Sequence, residues 1–397
     1  MTHLDRAPNA GKAPRRVTVL GSTGSIGVNT LDLVARSPDS FEVEALTAFR
    51  NVDRLVEQAL KLRPKLAVVG DPAAYHALNG ALSGTGIETA AGPEALIEAA
   101  QRPADWVMAA IVGIAGLAPT LAAVRRGAFV ALANKETLVS AGQLMMNEIE
   151  RYGATLLPVD SEHSAIFQVI DFDNLDAVEC ITLTTSGGPF RGLDSAAMAS
   201  VTPAQAVAHP IWNMGPKISV DSATMMNKGL EIIEAHQLFH LPSERIEVLV
   251  HPQSVVHSLV TYRDGSVLAQ LGTPDMRTPI AYALAWPRRM QAPVERLDLA
   301  KVARLNFEAP DEERFPALRL ARQALEAGGS AKTVLNGANE TAVQAFLEGR
   351  LGFLSITEVV EGTLDLLPIC ELSSLDDVAV IDGEARTVAA RLIKQLA

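Results

Sequence analysis

Three stretches of this sequence carry side chains whose types and spacing could do chemistry. The first is Leu156-Leu157-Pro158-Val159-Asp160-Ser161-Glu162-His163, an apolar run that ends in acids and a histidine. In an extended chain side chains alternate, so Asp160 and Glu162 would share a face. Two carboxylates on one face repel unless a cation sits between them, and their oxygens suit Mg²⁺ or Mn²⁺. Two exposed loop acids are the plainer alternative. The second is Asp221-Ser222-Ala223-Thr224-Met225-Met226-Asn227-Lys228-Gly229-Leu230-Glu231. Read as a helix capped by Asp221 or Ser222, it sets Asn227, Lys228 and Glu231 on one surface. That surface offers an amide, an ammonium and a carboxylate; a solvated Lys–Glu pair is the ordinary alternative. The third is Gly21-Ser22-Thr23-Gly24-Ser25-Ile26-Gly27, a GxxGxxG turn after a short β-branched run. Glycines let the backbone approach a pyrophosphate, and the helix that follows turns its N-terminus toward the charge.

The region beyond that turn selects the cofactor. NAD sites place an acid on the ribose hydroxyls about twenty residues on. Here the chain reads Ala48-Phe49-Arg50-Asn51, with no acid. Arg50 could meet a 2′-phosphate through a charge-assisted contact, which favours NADP over NAD. A surface arginine beside an ordinary strand-to-helix turn is the alternative.

The elements that must position these groups follow a regular pattern. Strand-like runs fall at 17–20, 43–46, 66–69, 106–109, 129–132 and 155–159, with a helix at 26–35 and further helical stretches between most of them. Strands alternating with helices predict a parallel sheet covered on both faces. After Asp160 the texture becomes α+β, with strands at 179–185, 246–250, 255–262 and 266–271. Residues 286–316 carry Pro287, Pro293, Pro310 and Pro316, and helices are predicted at 317–327, 332–348, 356–367 and 384–395. The expected organisation is a disordered tail over 1–14, a cofactor-binding domain over 15–160, a catalytic domain over 161–290, a linker over 291–316 and a helical domain over 317–397.

Bulk properties bound the function. The chain has 397 residues, 48% hydrophobic, and a formal charge of -12, which argues against nucleic acid as a partner. An anionic substrate is still compatible, because a site can be locally positive. Cys180 and Cys370 form no metal or redox spacing, which suits a reducing compartment. The longest apolar run, 107–118, is too short to span a bilayer. No secretory pattern opens the chain, so the expected location is the cytoplasm with no membrane partner; a trimmed plastid protein would read the same way.

Further motifs join these three: Ala133-Asn134-Lys135-Glu136, Ser186-Gly187-Gly188-Pro189-Phe190-Arg191, His209-Pro210-Ile211-Trp212-Asn213-Met214-Gly215, His251-Pro252-Gln253-Ser254 and Pro274-Asp275-Met276-Arg277-Thr278-Pro279. In this order, over nearly the whole chain, they resemble the deoxyxylulose phosphate reductoisomerase family. The resemblance implies a Rossmann-like parallel-sheet domain, an α+β catalytic domain with a flap and a C-terminal α-helical domain. It implies a homodimer that uses NADPH and Mn²⁺ or Mg²⁺ to rearrange and reduce a small phosphorylated sugar, 1-deoxy-D-xylulose 5-phosphate, to 2-C-methyl-D-erythritol 4-phosphate on the way to isoprenoid precursors. The carbon skeleton would rearrange by retro-aldol and aldol steps or by a ketol shift.

By position, the resemblance implies Asp160, Glu162 and Glu231 as metal ligands. Lys135, Ser161 and Glu162 would meet substrate oxygens. Ser186, His209, Ser222, Asn227 and Lys228 would hold the phosphate. Thr23, Gly24, Ser25, Ile26, Arg50, Asn51, Asn134, Glu136 and Gly215 would contact the cofactor. Residues 209–215 would form the flap, with Trp212 over the substrate and Met214 near the nicotinamide. The family pattern leads us to expect glycine where Phe49 stands; Phe49 would instead stack near the adenine or push its loop outward. His251 and His257 read as wall residues. A plain NADP-dependent dehydrogenase, or a non-catalytic NADP-sensing module, would need neither the three acids nor the flap.

Overall fold

The computed structural model describes residues 13–209, 211–212 and 214–396. Most of the expected tail, residues 1–12, therefore lies outside the described residues, as do Pro210 and Asn213 of the flap motif.

The chain forms two compact units. The first takes residues up to Asn134, Met145–Ser164 and Asp275–Glu295. Its sheet contains β1 (Arg15–Leu20), β2 (Phe41–Ala48), β3 (Leu66–Val69), β4 (Glu88–Ala91), β5 (Trp106–Ala109), β6 (Phe129–Leu132) and β7 (Thr155–Pro158). The strands lie in the order β4-β3-β2-β1-β5-β6-β7, and all pair in parallel. β3 and β5 are buried along their whole length, as strands covered on both faces must be. β4, sequence Glu-Thr-Ala-Ala, escapes a sequence reading because it is a half-exposed edge with a single β-branched residue. The strand order reverses between β1 and β5. In doubly wound sheets the ligand crevice opens at that point, beyond the carboxyl ends of the strands. The Arg277–Ala285 helix returns to this unit, where Ala283 O accepts the buried Trp106 indole N–H at 3.0 Å.

The second unit takes Lys135–Leu144, Ala165–Pro274 and the chain from Arg296 onward. It holds β8 (Val178–Thr185), β9 (Ile246–Val250), β10 (Val256–Tyr262) and β11 (Val267–Leu271), in the order β11-β10-β8-β9. β8 pairs with β9 in parallel, and β10 runs antiparallel to both β8 and β11. Long helices at Met226–Phe239, Ala317–Ala327, Ala331–Leu347, Ser355–Leu366 and Leu375–Leu396 share one apolar core with this sheet, built from residues such as Leu183, Leu230, Ile233, Leu335, Phe346 and Ile393. The last helix begins nine residues before the expected 384, since Asp376 and Asp377 in its first turn favour a helix start. Residues 286–316 are largely irregular, with one short helix at Leu299–Val302. Among the described residues no helix is long and apolar enough to cross a membrane.

Candidate active site

In the first unit the glycine turn joins β1 to the Ser25–Ala35 helix. Gly21 takes φ +83, and a Cβ there would lie 2.6 Å from Ala110 O; one on Gly27 would lie 2.4 Å from Gly21 O. The turn is therefore packed against the β5 exit and against its own helix, and only glycine fits. Two residues that the sequence did not single out hold it. Thr47 Oγ1 accepts from Gly21 N at 3.0 Å. Gln58 accepts from Ser22 Oγ at 2.8 Å and returns a bond to Ser22 O at 2.9 Å. Thr23, Gly24, Ser25 and Ile26 consequently sit at a fixed strand-to-helix turn beside the switch point.

Arg50 and Asn51 follow β2. Asn51 caps the Val52–Leu62 helix by accepting from Arg54 N. Arg50 Nε donates to Asp71 Oδ2 at 2.7 Å, and its guanidinium lies 4.8 Å from the Phe49 ring centroid. The Ala73 backbone N–H and the Arg50 guanidinium hold the Asp71 carboxyl below its ordinary value. Asn134, at the β6 exit, donates Nδ2 to Gly113 O at 2.9 Å. Its Oδ1 is buried and has no partner among the described residues, so the side chain keeps an acceptor for a ligand donor.

Asp160 and Glu162 offer carboxylate oxygens within 4.8 Å of each other, and Asp160 lies equally close to the fully buried His163. The extended reading of this stretch is corrected: β7 ends at Pro158 and the Ser161–Val169 helix starts at once. Asp160 precedes that helix, and its carbonyl accepts from Ser164 N at 2.8 Å. The acids meet through a helix start, not through strand alternation. Ser161 Oγ donates to Glu162. Two half-buried carboxylates in this arrangement are a suitable partial donor set for a hard divalent cation.

In the second unit a four-residue cluster forms. Glu231 is fully buried on the Met226–Phe239 helix. Lys135 Nζ donates to Glu231 Oε1 at 2.9 Å and to Asn227 Oδ1 at 2.9 Å. Asn227 and Lys228 also donate to Glu231. The expected three- and four-residue offsets bring these side chains together on one surface. The expected cap does not form: Asp221 and Ser222 lie inside the Pro216–Ala223 helix, and the next helix follows a left-handed Met225 with no side-chain cap.

Ser186 and His209 also meet, with Oγ and Nε2 at 3.0 Å. His209 Nδ1 accepts from Ile211 N and Trp212 N, at 3.2 and 2.9 Å, so the ring proton sits on Nε2 and donates to Ser186. Burial holds the imidazole below its ordinary value, which keeps that neutral tautomer. Ser222 O faces the Ser186 loop across Gly188. The Trp212 and His257 rings lie 6.4 Å apart, and Met214 is half-buried. Gly215 opens the Pro216–Ala223 helix and accepts from Ser219. His251 Nδ1 lies 2.8 Å from Asn306 O while Nε2 accepts from Val255 N, so both ring nitrogens serve the wall.

Glu136 pairs with Lys217 at 2.8 Å, and Lys217 reaches Asp221 at 2.9 Å. Burial opposes the charge on Lys217, but Asp221 and Glu136 outweigh it and hold its pKa well above the ordinary value. Burial also opposes the charge on Glu136, and Lys217 outweighs it in turn.

Similarity to known proteins decides the family. A model of 1-deoxy-D-xylulose 5-phosphate reductoisomerase matches residues 17–142, and models of the C-terminal domains of that enzyme match residues 156–239 and 271–388. The enzyme of that name from Rhodospirillum centenum is 64% identical over 388 residues, covering 98% of this chain and 96% of the relative. The chain belongs to the 1-deoxy-D-xylulose 5-phosphate reductoisomerase family. Among solved structures, the reductoisomerase from Zymomonas mobilis in complex with NADPH is 57% identical with a TM-score of 0.92, covering 96% of this chain and all of the other. A DOX-P reductoisomerase in complex with NADPH, fosmidomycin and magnesium is 43% identical with a TM-score of 0.93, covering 96% and 99%.

Within this reductoisomerase chain, several residues near the candidate site carried no sequence signal. Thr47, Gln58, Asp71 and Lys217 act through partners distant in sequence. Only the position of Lys217, just past the His209–Gly215 motif and one helical turn before Asp221, could have drawn notice.

Proposed function

We propose that this chain converts 1-deoxy-D-xylulose 5-phosphate to 2-C-methyl-D-erythritol 4-phosphate, using NADPH and Mg²⁺ or Mn²⁺. The observation that carries the reading is the cluster of Lys135, Asn227, Lys228 and Glu231, a buried polar surface that can grip an oxygen-rich anion. Asp160, Glu162 and Glu231 would hold the metal. When bound, the metal supplies Lewis acidity to the substrate oxygens and NADPH supplies the reducing equivalent.

The remaining tasks fall to the chain. Lys228, Asn227, Ser222, Ser186 and His209 bind the phosphate. Because His209 Nε2–H donates to Ser186 Oγ, the Ser186 hydroxyl proton is left for a phosphate oxygen. Lys135 stabilises negative charge that develops on substrate oxygens during rearrangement, at a site that is 6% exposed and so weakly screened. Ser161 orients Glu162 toward a substrate hydroxyl. Thr23, Gly24, Ser25, Ile26, Arg50, Asn51 and Asn134 bind the cofactor with Glu136, Met214 and Gly215. Trp212 covers the substrate and excludes water.

The reading includes the division into cofactor-binding, catalytic and helical domains, a cytoplasmic location and a homodimer. For the dimer, the outer edge of β11 is free for pairing among the described residues, and its Val267 and Leu268 are exposed. Light scattering at micromolar concentration should return twice the 42.2 kDa chain mass.

The test of activity is NADPH oxidation at 340 nm dependent on deoxyxylulose phosphate, with mass-spectrometric identification of the product. Chelator should abolish the signal and Mg²⁺ or Mn²⁺ should restore it. NADPH oxidation that survives chelation, or a product with an unrearranged skeleton, would reject the reading in favour of a plain dehydrogenase.

A further inference from the structure

Arg50 is held from two sides within the first unit. Its Nε donates to Asp71 Oδ2 at 2.7 Å, and its guanidinium rests 4.8 Å from the Phe49 ring centroid. Asp71 is itself fixed, because its Oδ1 accepts from Ala73 N at 2.9 Å and its backbone N donates to Phe49 O at 3.1 Å. The exits of β2 and β3 are thereby tied together, with Gly70 N donating to Ala48 O at 2.7 Å. Phe49 packs on Gly70, where an added Cβ would fall 3.0 Å from its Cδ2, yet the residue stays 63% exposed. An exposed aromatic alone means little. Here its face supports a cation, and the carboxylate engages only the inner nitrogen of the fork. The two terminal nitrogens, four N–H donors, stay outside that bond.

We propose that Phe49 and Asp71 are positioning residues that present the terminal nitrogens of Arg50 to a 2′-phosphate, and so set the preference for a 2′-phosphorylated adenosine. This rests on the reading that NADPH binds at the glycine turn. In a doubly wound sheet the adenosine half lies beyond the carboxyl ends of strands such as β2, where this trio stands. Two effects of Asp71 oppose each other. Its negative charge repels a phosphate, but it lies on the Nε side of the guanidinium, where the arginine neutralises it, and the arginine of that pair is largely open to screening salt. Its bond also removes rotamer freedom that a 70% exposed arginine side chain would otherwise lose on binding. Preorganisation outweighs the screened repulsion.

The test is fluorescence titration of the full chain with NADPH and with NADH, for wild type, Asp71→Asn and Phe49→Leu. Asparagine keeps an oxygen to cap Ala73 and leucine keeps bulk on Gly70, and circular dichroism reports that each variant is folded. Wild type should prefer NADPH. The ratio of the two dissociation constants should fall by roughly five-fold in Asp71→Asn and by roughly two- to three-fold in Phe49→Leu. A wild type without preference overturns both the cofactor reading and this one. A preference that survives both substitutions, or grows in Asp71→Asn, overturns this one alone.

Discussion

His257 lies in the wall of the second unit, where it is 6% exposed. Its carbonyl accepts from Thr184 Oγ1 at 2.7 Å, and its ring stands 6.4 Å from Trp212. Burial lowers its pKa to about 4 from an ordinary 6.5; a backbone hydrogen bond at Gly272 opposes the shift, His251 and Lys228 push the same way as burial, and a backbone hydrogen bond at Thr273 opposes it least. The neutral ring is therefore part of the folded state. As pH falls below 6.5 the unfolded chain takes up the proton and the folded chain does not until pH nears 4, so stability is lost across that window. At pH 5 the loss should be about 2 kcal/mol relative to pH 7.5. Urea midpoints measured at both pH values for wild type and His257→Gln check this, and equal pH slopes in the two proteins would count against it. At this scale the sequence was legible where residue type and local offset decide the contact. Asn227, Lys228 and Glu231 meet as their spacing predicts. Their partner Lys135, more than ninety residues earlier, comes into the cluster only through the fold.

Secondary-structure elements deliver the side chains, and they tolerate little change where two of them touch. The loop after β8 carries Ser186 and then Gly187 and Gly188, both with positive φ. A Cβ on Gly188 would lie 2.7 Å from Ser222 O, so the loop can rest on the Pro216–Ala223 helix only without a side chain. Gly188→Ala should strain the loop by about 1–3 kcal/mol and move Ser186 away from His209. We expect a lower melting midpoint and at least a ten-fold loss in kcat/KM for the phosphorylated substrate. Gly192→Ala is the control, because a Cβ there meets nothing within 4 Å and the residue has no positive φ, so both quantities should stay near wild type. If Gly188→Ala behaves like the control, the packing argument fails. Elements were read from sequence best where burial is uniform. β3 and β5 fall at the expected residues because a fully covered strand must be a continuous apolar run, and β6, buried beyond its first residue, does so for the same reason. The acid pair at 160 and 162 was misread because a helix starts one residue after Asp160, and alternation ends where the strand does.

At the scale of the whole molecule, chain order and spatial order diverge. Segment 275–295 belongs with the first unit although more than a hundred residues separate it from Ser164. Nothing in its local pattern announces that return, which depends on contacts made only after folding. It contributes the fully buried Ile280 and Leu284, each worth about 1.5–3 kcal/mol of burial. It also supplies Ala283 O to the Trp106 indole, and Leu284 O and Trp286 O to Arg15. A fragment of residues 13–164 would lose all of these and leave the Trp106 N–H without its acceptor, a further cost of about 1–3 kcal/mol. Losses of that size approach the whole stability of a domain, typically about 5–15 kcal/mol. We therefore expect the 13–164 fragment to lack a cooperative thermal transition, bind a hydrophobic dye and be cleaved rapidly by protease. Fusing residues 275–295 behind it through a flexible linker should restore the transition. A 13–164 fragment that melts cooperatively without that segment would mean that the parallel sheet holds itself together, and that the returning helix serves something other than the stability of the first unit.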